Sequence, residues 1–132
     1  MAIRVGLDLV SVAGVAETLA SALADRYLQR VYTAREVADC RNPAGIDPER
    51  LAARFAAKEA TLKVISSGGE DGISLVEIEV RREPSGRVSL ALAGRAAELA
   101  AAAGMSDLQL SLTHEGGFAA AVVVGMGDAA GD

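Results

Sequence analysis

Asp47-Pro48-Glu49-Arg50-Leu51-Ala52-Ala53-Arg54-Phe55-Ala56-Ala57-Lys58-Glu59-Ala60-Thr61-Leu62-Lys63-Val64-Ile65 is the stretch on which the reading of the fold turns. Asp47 is a good N-cap, Pro48 suits the first helical position, and Ser66-Ser67-Gly68-Gly69 stops the run, so one long helix is predicted. On a wheel of about 100° per residue, Leu51, Phe55, Leu62 and Ile65 form an apolar stripe. Lys58 falls inside that stripe and Glu59 at its border, with Lys63 one turn after Glu59 and Arg54 one turn before Lys58. Charges bordering a core-facing stripe need partners. They are either an ordinary Glu59–Lys63 surface pair worth about 0.3–0.5 kcal/mol, with Lys58 snorkelling to water, or parts of a site.

Before this helix, Ile3, Val5, Leu7 and Leu9 alternate with Arg4, Gly6 and Asp8, the pattern of a strand with Asp8 on its polar side. Ser11 can cap a helix carrying Val12, Val15, Ala16, Leu19 and Leu23, and Asp25 starts a shorter one. Thr33-Ala34-Arg35-Glu36 is a capping box, followed by a loop from Arg41 to Ile46. After the long helix, Ile73–Arg82 and Arg87–Leu92 read as strands joined by the turn Glu83-Pro84-Ser85-Gly86. An Ala-rich helix from Arg95 to Ala103 precedes a strand carrying Leu108, Leu110 and Leu112. His114-Glu115-Gly116-Gly117 then turns the chain into a last strand, Phe118–Gly125. The class expected is α+β in one domain over residues 1–125, with 126–132 as a disordered tail.

At 132 residues and 51% hydrophobic, the chain has enough for one core and too little polarity for disorder. Aromatics are only 3% and the net charge is −5, which argues against a nucleic-acid partner. The charge is uneven: Arg26 to Lys63 holds eight basic residues against five acids, while the remainder is strongly acidic. Such a basic island suits a phosphorylated ligand or an acidic partner, though ordinary solvated helix faces would give the same count. A single cysteine, Cys40, precludes an internal disulfide, and with one histidine it cannot build a usual zinc site. No signal peptide or membrane span is evident, so a soluble, cytoplasmic protein without a membrane partner is expected. Gly-rich phosphate loops are missing from the sequence.

Asp8 and Glu59 are candidates for a metal pair, since magnesium takes one or two carboxylates together with phosphate oxygens and water. Lys and Arg beside such a pair would suit a pyrophosphate. Asp8 could equally cap the following helix, a role for which Ser11 stands closer. His114 has two readings, a hydrogen-bonded structural residue or part of a site.

Taken together, Val5-Gly6-Leu7-Asp8-Leu9-Val10, Arg54-Phe55-Ala56-Ala57-Lys58-Glu59-Ala60-Thr61-Leu62-Lys63 and Ser111-Leu112-Thr113-His114 resemble the holo-acyl-carrier-protein synthase family of 4′-phosphopantetheinyl transferases. Tyr32-Thr33-Ala34-Arg35-Glu36 is similar to a further family segment, with Tyr in place of Phe. The resemblance implies a small antiparallel sheet packed on a long helix, assembled as a homotrimer with sites between subunits. It implies magnesium-dependent transfer of 4′-phosphopantetheine from coenzyme A to a serine of an apo acyl-carrier protein, in fatty-acid or polyketide metabolism, leaving 3′,5′-ADP. Asp8 and Glu59 match the metal ligands, and Lys63 joins them as catalytic residues. Arg54, Lys58, Lys63, His114 and Gly68 match positions around the coenzyme. Glu59 acting through a water is the preferred base, with Glu115 or His114 as alternatives. One position departs: Gly14 stands where the family has an arginine that meets the carrier. A protein that binds coenzyme A or a carrier without efficient turnover is therefore the alternative reading.

Overall fold

The computed structural model describes residues 1–66 and 72–128. The predicted long helix is present as α4 (Pro48–Ile65), with the Asp47 side chain accepting the Glu49 N–H at 2.9 Å. Its 18 residues would span about 27 Å. The other helices are α1 (Val12–Leu19), α2 (Ala24–Val31), α3 (Ala34–Asp39) and α5 (Gly94–Ala102). The strands are β1 (Ala2–Ser11), β2 (Arg41–Asn42), β3 (Gly45–Ile46), β4 (Ile78–Arg82), β5 (Val88–Leu92), β6 (Asp107–Glu115) and β7 (Phe118–Gly127). The main sheet is antiparallel in the order β1-β7-β6, and β4–β5 and β2–β3 are separate hairpins. This is the α+β arrangement expected, a small sheet packed on a long helix.

Several boundaries differ from expectation; the first helix ends at Leu19, so Leu23 stands just ahead of α2 and not on α1. The loop from Arg41 to Ile46 contains the β2–β3 pairing. The strand predicted from Ile73 begins at Ile78, because Glu77 accepts the Ser74 N–H at 2.8 Å and closes a 3-10 turn over Leu75–Glu77. The last strand passes Gly125, since Met126 pairs with Ile3 and Gly127 with Ala2, so these two residues are not a disordered tail. Residues 129–132 lie outside the described residues.

α4 is buried nearly all round. Ala56, Ala57, Ala60, Val64 and Ile65 share one core with Ala121 and Val123 of β7, Ile78 and Val80 of β4, and Ala96 of α5. Nearer its N-terminus, Leu51, Ala52 and Ala53 share a second core with Val15, Val31, Tyr32, Cys40 and Ala119. The Tyr32 hydroxyl donates to the Leu51 carbonyl at 3.0 Å and meets the Tyr27 hydroxyl at 2.8 Å, which makes this tyrosine affordable inside. Cys40 is fully buried there, and burial pushes its thiol up to about 11.

The alternation along β1 is inverted relative to a simple core-in reading. Gly6 and Asp8 lie on the face toward α4, whereas Ile3, Val5, Leu7 and Leu9 are each more than 60% exposed. Gly6 allows the approach: a Cβ there would stand 2.0 Å from the Ala60 carbonyl oxygen of α4. Backbone carbonyls of a packed helix cannot swing aside, so Gly6→Ala should cost about 3 kcal/mol, the upper end of overpacking effects. Urea denaturation measures it; a cost below about 0.5 kcal/mol, the scale of neutral surface changes, would show that β1 is free to lift.

Candidate active site

β1 and α4 together build an acidic corner. Asp8 projects from β1 toward α4, and the Lys63 ammonium lies 3.5 Å from Asp8 Oδ1 while donating to the Leu7 carbonyl at 2.7 Å. Glu59 stands one turn before Lys63. Burial holds the Glu59 carboxyl above its ordinary range, the Asp8 charge pushes it the same way, and Lys63 opposes both. A carboxylate beside a second negative charge is a place where a hard cation is favourable, and the all-oxygen chemistry of Asp8 and Glu59 fits magnesium. No cluster of three or more His, Cys, Asp or Glu side chains exists among the described residues.

A second half lies across the helix. Arg54 and Glu59 are five positions apart, which turns them about 140° from each other. Arg54 is 4% exposed, and its Nε is buried without a hydrogen-bond partner among the described residues. It lines a groove of about 410 Å³ with Arg50, Arg82, Gly86, Val88 and His114. His114 Nδ1 meets Glu49 Oε2 at 3.2 Å. β6 and β7 align His114 with Ala119, which pairs across with Val10, so His114 shares the sheet face that carries Asp8, on the opposite flank of α4. An orphaned guanidinium nitrogen among further cations is a place for an anion.

Asp8, Glu59 and Lys63 thus come together as expected, and Arg54 joins His114 in a separate groove. Lys58 is a correction. Expected near the coenzyme, it is fully buried, and its ammonium donates to Glu36 Oε1 at 2.6 Å, the Leu75 carbonyl at 3.0 Å and the Ile78 carbonyl at 2.5 Å. An ammonium has three protons to donate, so none is left for a phosphate. Burial lowers its proton affinity, against the Glu36 charge and hydrogen bond. Gly68 lies outside the described residues. Arg50, Arg82 and Glu49 were not foreseen, and no sequence signal marks them as parts of the groove.

A carboxylate pair with lysine on one flank of a helix, and a cationic groove on the other, have the chemistry to receive a phosphorylated substrate and a divalent cation. The sequence pattern of the 4′-phosphopantetheinyl transferase superfamily matches residues 4–123. A holo-[acyl-carrier-protein] synthase of Koribacter versatilis is 39% identical over 124 residues, covering 94% of this chain and 98% of that one. One from Chloroflexus aurantiacus is 43% identical over 130 residues, covering 90% and 94%. The structure of an ACPS–CoA complex from Chronobacterium ammoniagenes superposes with a TM-score of 0.82 at 34% identity, covering 97% of this chain and 99% of that one. The chain belongs to the 4′-phosphopantetheinyl transferase superfamily.

Proposed function

We propose that this protein transfers 4′-phosphopantetheine from coenzyme A to a serine hydroxyl of an apo acyl-carrier protein, releasing 3′,5′-ADP. The observation that carries this is the Asp8–Glu59–Lys63 corner within a chain related over nearly its whole length to holo-acyl-carrier-protein synthases. Asp8 and Glu59 would hold magnesium, which when bound neutralises charge on the coenzyme's pyrophosphate. Lys63, half exposed beside Asp8, is placed to meet a phosphate oxygen. Glu59 acting through a water is the base we favour for the serine proton as the new phosphorus–oxygen bond forms and the bond to 3′,5′-ADP breaks. No covalent enzyme intermediate is needed. Incubation with coenzyme A, magnesium and an apo-carrier tests the reading: a mass gain equal to the arm supports it, and coenzyme binding without that gain favours the non-turnover alternative.

The split site supports an assembly in which copies share it. One chain separates its carboxylates from the Arg54–His114 groove by the thickness of α4, while the Ile3-Val5-Leu7-Leu9 ridge lies open. A homotrimer, with the ridge covered and the halves of neighbouring copies facing each other, accounts for both observations. Among the described residues no helix is long and apolar enough to cross a membrane.

Carrier docking must manage without an arginine on α1. Gly14 is exposed, and a Cβ there would meet only Ser11, at 3.9 Å. Arg26 and Arg30 of α2 flank the exposed Leu23, and they are the docking cations proposed, with Arg35 beyond them. Gly14→Arg should lower the carrier KM by about threefold to tenfold at low salt, an effect that shrinks as salt screens the contact. Steady-state kinetics at two ionic strengths measure it. A salt-independent gain would indicate repair of helix propensity, worth about 1 kcal/mol, and an unchanged KM would mean the carrier docks elsewhere.

A further inference from the structure

Lys58 belongs to the most distinctive stretch of the sequence, yet its ammonium reaches neither flank of the site. With Glu36 it forms an ion pair in which both side chains are fully buried. Both oxygens of Glu36 are engaged in turn: besides Lys58, its Oε1 accepts the Thr33 N–H at 2.9 Å and its Oε2 the Val80 N–H at 2.9 Å. Stability alone does not call for this, because Ile78 and Val80 already bury the hairpin, and an apolar pair commonly serves as well as a buried ion pair.

What the pair adds is direction. Lys58 holds the Ile78 carbonyl and Glu36 the Val80 amide, two alternate residues of β4. Apolar contacts tolerate a slide of half a residue, whereas two hydrogen bonds at fixed spacing do not. Arg82 follows two residues, about 7 Å, after Val80. Arg82, Gly86 and Val88 then form the hairpin's wall of the groove lined by Arg54 and His114.

We infer that the Glu36–Lys58 pair is a positioning device, fixing the β4–β5 hairpin in register so that its tip completes the groove for the nucleotide end of coenzyme A. Neither residue touches the coenzyme; both act through β4. The inference rests on the transferase reading above, and wild-type turnover is the control: absence of arm transfer by wild type sinks that reading, while the comparison below bears on the pair alone.

Glu36→Gln/Lys58→Met removes both charges together, so neither is stranded. The expected result is a folded protein whose KM for coenzyme A and Kd for 3′,5′-ADP rise about tenfold, with the carrier KM unchanged and kcat much less affected. A merely structural pair would lower the melting temperature and leave the KM of the folded protein where it was, and that result overturns the inference. Hydrogen exchange on the wild type tests the hairpin's place in the site, on which the inference stands, even if the variant does not fold. Saturating 3′,5′-ADP should slow exchange at Val80 and across Arg82–Val88; unchanged exchange there would mean that the hairpin is not part of the nucleotide site.

Discussion

Asp8→Asn and Glu59→Gln are each expected to lower arm transfer by about two to three orders of magnitude, with the fold intact. Each replaces a carboxylate with an amide of the same shape, so the packing between β1 and α4 is preserved and only charge is lost. The two carboxylates crowd each other in a partly buried corner, and Lys63 offsets only part of that repulsion. A divalent cation would relieve the rest, which gives a second measurement independent of turnover. Magnesium should raise the melting temperature of the wild type and have little effect on either variant, since a ligand stabilises only the state that binds it. Without the opposing charge, each variant alone should be as stable as metal-free wild type or more so. Near-normal transfer by either variant at ordinary magnesium concentration would remove Asp8 and Glu59 as the metal pair.

Val5→Glu is expected to be the most disruptive single change away from that corner. Val5 lies three residues before Asp8, on the opposite face of β1, and is 62% exposed. In an isolated chain, a glutamate there would be harmless or mildly favourable. Where the ridge is buried between copies, it would put a charge in each apolar contact, at a cost of several kcal/mol per site. Sedimentation should then show a folded monomer in place of a trimer, with transfer activity reduced at least a hundredfold because the groove and the carboxylates no longer meet. A fully active monomer would overturn both the assembly and the shared site.

Much of the architecture was legible because its signals are local. Asp47 and Pro48 open α4 and Ser66 closes it, and Thr33 with Glu36 forms the predicted capping box at α3. Ser74 and Glu77 carry the same spacing, so the turn that delays β4 was available to a closer reading. The helix wheel picked out Leu51 and Ile65 and underrated the alanines, which α4 uses to come close to the sheet and the hairpin. Lys58 could not be placed in this way, because Glu36 stands 22 residues away and its other partners are backbone carbonyls after the helix. Periodicity reports a buried face of a helix; it does not distinguish an ammonium at a site from one locked in a core. β1 failed for another reason. Alternation shows that one face of a strand is apolar, without saying whether this chain or another copy covers it.

Lys63 and the Glu36–Lys58 pair have a further consequence for how copies can join. Lys63 occupies the Leu7 carbonyl of β1, and the buried pair occupies Ile78 and Val80 of β4. Outer strands with open backbone groups invite another chain to add on strand by strand, and such growth has no natural end. Charged side chains seated on those groups act as stoppers. The sticky surface left on β1 is its flat apolar face, which associates through side chains, and contacts of that kind can close on themselves after a few copies. On the assembly proposed above, the ridge would favour a finite assembly over a fibre, although a long apolar edge strand with no cover would ordinarily count as an aggregation hazard.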